Sequence, residues 1–128
     1  MPKIAKTFLA LGALSAAVSL VLGAAAAHAL NAQLAPSLAL FQIALQYHQF
    51  HALGLIAVGL LVVRFPSCRW FAWSGWLMVA GTLLFSGNLY LRSLAGFNEF
   101  HAVTPFGGGA FIAAWLLLAI GVLTREAS

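Results

Sequence analysis

The sequence predicts an all-α integral membrane protein, a bundle of four transmembrane helices joined by short connecting loops. Two observations predict this fold class. Only 6% of the 128 residues are charged while 63% are hydrophobic, and the mean hydropathy is +1.01. Since a soluble domain has about 25% charged residues, this chain cannot present a water-compatible surface. Each crossing needs about 20 apolar residues, so the length allows four crossings within a single domain, residues 1–128.

Charged residues and turn formers divide the chain into four apolar runs. Lys3 and Lys6 precede the first run, a turn with Pro66 separates the second from the third, and Pro105 opens the fourth. Pro is tolerated in the first turn of a helix, where its missing N–H is not needed. The predicted spans are about 7–30, 38–64, 70–92 and 104–124.

The positions of the cations predict the orientation. With four spans, one side carries five cations and the other side carries only Arg92; the five are Lys3, Lys6, Arg64, Arg69 and Arg125. Lys and Arg accumulate in cytoplasmic loops, so both termini are predicted to be cytoplasmic in a bacterial inner membrane. Because these cations lie at segment ends, the net charge of +4 reflects topology and does not predict nucleic-acid binding.

The first run has an alternative interpretation as a signal peptide. Two lysines, an apolar run and the A-x-A sequence Ala27-His28-Ala29 fit a cleavable leader. The run from Thr7 to Ala27 exceeds the usual apolar core of about 7–15 residues. A retained helix is therefore the favoured prediction; cleavage would leave three spans and an outward N-terminus.

Two sets of residues are candidates for helix contacts. Small residues recur every four positions in the first span, which lets another helix approach closely in lipid; they are Ser15, Ser19 and Gly23, continued by Ala27. Glutamines share one face of the second span at about 100° per residue; they are Gln42, Gln46 and Gln49. Amides facing lipid would be unpaired in hydrocarbon, so the glutamines predict a homo-oligomer or a place in a larger membrane complex.

A polar cluster is predicted in the outer half of the bundle, with its centre in residues 45–55. Tyr47 and His51 lie on a face of the second span about 140° from the glutamines, with His48 at its edge. Polar side chains at bilayer depth are costly, rare and often functional. The candidate ligand-binding residues are His28, Tyr47, His51, Ser86, Asn88, Tyr90 and Thr104.

The chemistry of this cluster stays open. Neutral imidazole binds metals and haem iron, but the spans contain no Asp or Glu, and Cys68 lies in a turn, so nothing completes a metal shell. Ser86 has no carboxylate in the spans to orient a histidine for it. We therefore expect histidines that hydrogen-bond to neighbouring helices, no metal, no cofactor and no enzymatic activity.

Several short motifs together resemble a known family. They are His28-Ala29-Leu30, Gln46-Tyr47, His51-Ala52-Leu53, Phe85-Ser86-Gly87-Asn88-Leu89-Tyr90, Thr104-Pro105-Phe106-Gly107-Gly108 and Trp115. The pattern resembles the YgdD-like family of small bacterial inner-membrane proteins, domain of unknown function 423, whose mitochondrial relatives are called transmembrane protein 256. The resemblance covers all four spans and implies a four-helix membrane protein without an assigned activity. His48 and Asn88 depart from the family pattern.

Two functional hypotheses follow. The first is a non-enzymatic accessory or scaffolding protein that packs in the membrane lipid with itself or with a larger complex. The second is the binding or permeation of a small ligand, haem, quinone or metal ion through the outer-half cluster. An intramembrane enzyme with His51 as its base ranks last, because a general base needs a group that orients it.

Overall fold

The computed structural model describes residues 1–28 and 35–125, which form four helical rods and contain no strand. Helix α1 is Lys3–His28, α2 is Leu38–Arg64 and α5 is Thr104–Leu123. The third rod consists of α3 (Arg69–Gly81), a π-helical turn (Thr82–Gly87) and α4 (Asn88–Ala95) without a break. Short 3₁₀ turns, Ala35–Ser37 and His101–Val103, precede α2 and α5. The predicted all-α, four-helix fold class is confirmed.

The helix ends differ from the predicted spans by a few residues. The third rod runs from Arg69 to Ala95 where 70–92 was predicted, because Gly96 ends α4 with a φ of 66° and Phe97 N–H donates to the Leu91 carbonyl oxygen. That αL residue and its backward hydrogen bond form the usual glycine helix stop. The predicted end of the first span at residues 29–30, and residues 31–34 of the following connection, lie outside the described residues.

Three helical segments of the described chain are long and apolar enough to cross a membrane: Lys3–His28, Leu38–Arg64 and His101–Leu123. The third rod is divided by its π turn into pieces that are each shorter than a crossing. As one continuous rod from Arg69 to Ala95 it nevertheless has the length of a span at about 1.5 Å per residue. Many large apolar side chains on all four rods point outward, as lipid contact requires.

Helix α2 is the centre of the bundle. It packs along α1 on one side and contacts α3, the π turn and α4 on the other, while α3 also packs along α5. Its buried positions follow steps of three and four, which is the spacing of one helix face; they include Phe41, Ala44, His48, His51, Leu55, Val58 and Val62.

The buried core changes character along the bundle. Its inner half, at the end where the chain begins, is apolar and close-packed; the cluster there includes Ala5, Phe8, Val58, Val62, Phe71 and Met78. Gly75 allows this packing, since a Cβ at that position would overlap the Phe8 ring. The polar side chains of α2 lie beyond this cluster, toward the start of α2. Apart from Ser74, whose buried hydroxyl donates to the Ala114 carbonyl oxygen at 2.7 Å, the buried inner half is apolar and the outer half is polar.

The π turn is positioned by a close approach of two backbones. A Cβ on Gly107 would lie 2.5 Å from the Phe85 backbone nitrogen and 2.8 Å from the Leu84 carbonyl carbon. A glycine at the start of α5 therefore lets that helix touch the π turn directly, which is how small residues act in membrane helix packing.

Candidate functional site

Both histidines of α2 are buried polar groups of the outer half. His48 and His51 are 5% and 4% exposed, respectively. At about 1.5 Å per residue they lie about 15 Å and 20 Å from the start of α2. Because an unpaired polar group costs several kcal/mol in hydrocarbon, the partners of these rings decide what they can do.

His51 is held in one tautomer by two different neighbours. Its Nδ1 lies 2.8 Å from the Tyr47 carbonyl oxygen, which can only accept, so Nδ1 carries the proton. Its Nε2 is then bare and accepts from the Trp115 indole N–H at 2.9 Å. The ring also stacks on Phe111, with centroids 3.6 Å apart and planes inclined by 10°. Both nitrogens of this neutral imidazole are occupied, so a metal ion or a proton could reach it only by displacing Trp115.

His48 links three rods. Its Nε2 lies 2.8 Å from the Ser15 hydroxyl of α1 and its Nδ1 lies 2.8 Å from the Tyr90 hydroxyl of α4. Since a hydroxyl both donates and accepts, either tautomer satisfies both bonds. The Ser15–His48–Tyr90 network therefore connects the first, second and third rods in the outer half of the bundle.

Sequence reasoning left His48 out of the candidate site, and a signal for it was present. The predicted polar face of the second span has Tyr47 and His51 at its centre, and His48 lies at the edge of that face. The apolar residues Phe41, Ala44, Leu55 and Val58 recur in steps of three and four, and that pattern passes through both His48 and His51.

Asn88 ties the outer loop to the third rod. Its side-chain nitrogen donates to the Phe100 carbonyl oxygen at 2.5 Å and to the Thr104 hydroxyl at 2.6 Å. These bonds hold the 96–103 loop and the first residue of α5. The Asn88 side-chain oxygen and the Ser86 hydroxyl are buried and have no hydrogen-bond partner among the described residues.

An aromatic groove lies between α2 and α5 and opens toward the lipid. Its volume is about 480 Å³, and it is lined by Gln46, Tyr47, Phe50, His51, Phe85, Gly108, Phe111, Ile112 and Trp115. Tyr47 is 41% exposed and packs on Phe85, with ring centroids 4.7 Å apart. The His51–Trp115 pair contributes to the wall, and Gln46 adds the one side-chain amide of the lining.

The comparisons with known proteins agree with this architecture. Residues 22–108 match the family model described as protein of unknown function (DUF423). The chain is 38% identical over 119 residues to the UPF0382 membrane protein YwdK of Bacillus subtilis, covering 92% of this chain and 97% of that protein. It is 36% identical over 112 residues to the UPF0382 inner membrane protein YgdD of Escherichia coli, covering 87% and 85%. The chain belongs to the DUF423/UPF0382 family.

The family predicted from the short motifs is thereby confirmed, and this UPF0382 protein is a multi-pass inner membrane protein. No solved structure matches the chain.

The structure divides the predicted polar cluster of this UPF0382 chain into separate sets. Tyr47 and His51 meet at the groove, Asn88 and Thr104 meet at the outer loop, and Tyr90 bonds to His48. Ser86 is buried in the π turn away from these sets of bonds. His28 is exposed at the end of α1 and forms no hydrogen bond with another described residue.

The predicted small-residue face of α1 lies on α2 within the same UPF0382 chain. Ser15 bonds to His48, Ser19 is buried with its hydroxyl donating to the Ala16 carbonyl at 2.7 Å, and a Cβ on Gly23 would meet Leu45 at 3.4 Å. The glutamines face elsewhere, since Gln42 and Gln46 are exposed and Gln49 is half-buried. No group of three or more His, Cys, Asp or Glu side chains within residues 1–28 and 35–125 is arranged to hold a metal ion.

Proposed function

We propose that this protein is a non-enzymatic accessory protein of the membrane that associates with a second copy of itself along the outward face of α2. The observation that carries the proposal is the position of the Gln46 amide. Gln46 is exposed on the lipid-facing side of the bundle and forms no hydrogen bond with the described residues.

The exposure of the Gln46 amide is costly because this residue lies deep in the membrane. Helix α2 has 27 residues, so it is about 40 Å long and its midpoint is near residue 51. Gln46 then lies about 8 Å from the midpoint, well inside a hydrocarbon core about 30 Å thick. An amide with no partner there costs several kcal/mol, and a partner from outside the bundle removes that cost.

A second copy is the occupant that best fits the face. The exposed positions of α2 continue from Gln42 and Gln46 in steps of three and four through Phe50, Leu53, Ala57 and Leu60, which is the seam spacing of paired helices. A two-fold axis along the membrane normal brings each residue of such a seam near its own counterpart. An amide both donates and accepts, so a glutamine stripe is complementary to itself.

The non-enzymatic part rests on the histidines. His51 uses both nitrogens on Tyr47 and Trp115, and His48 uses both on Ser15 and Tyr90. A catalytic base needs a free lone pair within reach of its substrate. These rings act instead as cross-links between helices.

Disulfide trapping in native membranes tests the dimer. In a Cys68→Ala background, Leu53→Cys is expected to form a covalent dimer on mild oxidation, because Leu53 lies on the seam beside the glutamines. Leu116→Cys on α5 is the control, since the two leucines are similarly exposed, at 66% and 60%. Adding Gln46→Leu should lower the yield at Leu53→Cys. Equal trapping at both cysteines, or no trapping at Leu53→Cys, would contradict the dimer.

The aromatic groove supports a second candidate function, the binding of a planar lipid-soluble ligand such as a quinone. Its volume of about 480 Å³ and its aromatic lining are typical of small-molecule sites, and the Gln46 amide and Tyr47 hydroxyl could orient a carbonyl. Haem and metal binding receive less support, because both nitrogens of His51 are occupied. Permeation of a ligand through the bundle also receives less support, because the apolar cluster around Phe8 and Phe71 fills the inner half.

Solvent extraction of the purified protein tests this second candidate. A stoichiometric quinone should be recovered from the wild type and lost in Ile112→Trp, which fills the groove without altering a hydrogen bond of either histidine. Extracts of both proteins without a quinone would exclude the candidate and leave the dimer proposal untouched.

A further inference from the structure

A second cavity lies at the opposite, positive end of the bundle, between the start of α3 and the end of α5. It has a volume of about 430 Å³ and is lined by Ser67, Cys68, Arg69, Trp70, Trp73 and Arg125. Two guanidinium groups and two indole rings thus share one cleft. None of the residues discussed above for the histidine network or the aromatic groove contributes to it.

The cations of this cleft lack a counter-charge within the described chain. The one acidic residue of residues 1–28 and 35–125 is Glu99, which lies in the loop at the other end of the bundle. Glu126, which follows Arg125 in the sequence, lies outside the described residues. The Arg125 Nε is buried without a hydrogen-bond partner there, and the Nη2 of that side chain reaches only the Thr124 hydroxyl, at 3.3 Å. A buried guanidinium N–H without an acceptor is costly, so an anion bound in the cleft would stabilise this group.

The backbone favours an anion at the same place. Helix α3 begins at Arg69, and Cys68 provides no side-chain hydrogen bond to cap it. The first N–H groups of a helix lack partners within the helix and carry its positive dipole end, which makes a helix start a site for phosphate. Cys68, Arg69 and Trp70, which line the cleft, are the residues at this start.

The indoles indicate where the anion comes from. Trp70 and Trp73 are both exposed, and tryptophans of membrane proteins lie at headgroup level. Basic pockets between transmembrane helices on the cytoplasmic side bind anionic lipid headgroups. Lys3 and Lys6 are at the start of α1 on the same side of the bundle and increase the attraction.

We propose that this cleft binds the phosphate group of an anionic phospholipid, with Arg69 and Arg125 on the phosphate and the two indoles along the start of the acyl chains. The proposal does not depend on the dimer or on the aromatic groove. Free inorganic phosphate offers the same anion chemistry without the acyl chains, so the experiment must distinguish the two sources.

Native mass spectrometry of the full chain, titrated with phosphatidylglycerol or with phosphatidylcholine, tests the site. The wild type should retain phosphatidylglycerol in preference to phosphatidylcholine. Arg69→Gln and Arg125→Gln should each weaken that retention about fivefold, whereas Arg92→Gln at the other end should leave it unchanged. Arg125→Lys, which keeps the charge, should retain phosphatidylglycerol almost as well as the wild type. An unchanged thermal unfolding midpoint would show that the variants fold.

Two results would overturn the proposal. Equal retention of the two lipids, or equal losses from Arg125→Gln and Arg92→Gln, would show that the cleft is not a headgroup site. Displacement of phosphatidylglycerol by millimolar inorganic phosphate would show that the free anion is the ligand and that the acyl chains contribute nothing.

Discussion

At the scale of single residues, the two histidines of α2 differ in what holds them. His51 has a fixed tautomer because a carbonyl oxygen and an indole N–H leave no other choice. His48 has two hydroxyl partners and accepts either tautomer. In both cases the imidazole forms a hydrogen bond with a side chain of a neighbouring rod, and so it specifies which helices lie side by side.

The two tyrosines of the chain test this interpretation directly. Tyr90→Phe removes the hydroxyl bonded to His48, and we expect the free energy of unfolding to fall by about 0.6 kcal/mol, with an upper limit of about 1.7 kcal/mol. Tyr47→Phe removes a hydroxyl that forms no hydrogen bond among the described residues, so its effect should be close to zero. Reversible unfolding in mixed micelles measures both values.

A double-mutant cycle identifies the partner of Tyr90. If the hydroxyl acts through His48, then Tyr90→Phe should cost nothing in a His48→Leu background. An equal cost in both backgrounds would show that the Tyr90 hydroxyl does not act through His48 and that the bond between them is energetically silent.

At the scale of elements, the junction of the π turn with α5 determines how the outer half is built. The turn brings Phe85 into the aromatic groove and Asn88 onto the outer loop, and Gly107 lets the α5 backbone contact it. π-helical turns inside α-helices occur frequently at functional sites. Here the turn forms one wall of the aromatic groove.

Two glycines of α5 provide a comparison within one helical turn. Gly107→Ala would place a Cβ 2.5 Å from backbone nitrogen, which cannot move aside, so we expect loss of the folded bundle or destabilisation by several kcal/mol. Gly109→Ala has no atom within 4 Å of its new Cβ and should be neutral or slightly stabilising. Thermal unfolding of the two variants in detergent checks the difference, and equal unfolding midpoints would refute the close approach.

At the scale of the whole molecule, α1 is integral to the bundle. It contributes Phe8 to the apolar core, Gly12 to the contact with α2 and Ser15 to the bond with His48. Removing α1 would leave the Nε2 of a buried histidine without its partner and would expose the core to lipid.

We therefore predict that the mature protein retains residues 1–28. Intact-mass measurement of the protein purified from membranes should give the mass of a chain that includes α1. A mass corresponding to a chain that starts at residue 30, after the Ala27-His28-Ala29 sequence, would show that the segment is a cleaved leader.

Much of this architecture could be predicted from the sequence, and the reason is physical. A bilayer allows few backbone conformations, so apolar runs separated by cations and prolines are enough to predict four helices. The small residues of α1 and the family motifs are likewise local patterns. The partners of the site residues were harder to predict than the residues themselves, since Asn88 and Thr104 meet across a loop while Tyr90 meets a histidine from another rod.

The sequence by itself determined the fold class, the family and the clustering of cations at one end of the bundle, because composition and spacing act locally along the chain. Only the tertiary structure decided that His48 links three rods and that the second ring nitrogen of His51 is bonded to Trp115. It also decided that Arg69 and Arg125 share a cleft. Those outcomes depend on which rods lie side by side and at what rotation. A helix wheel shows which residues share a face, but the partner of that face is set by close contacts such as the one at Gly107.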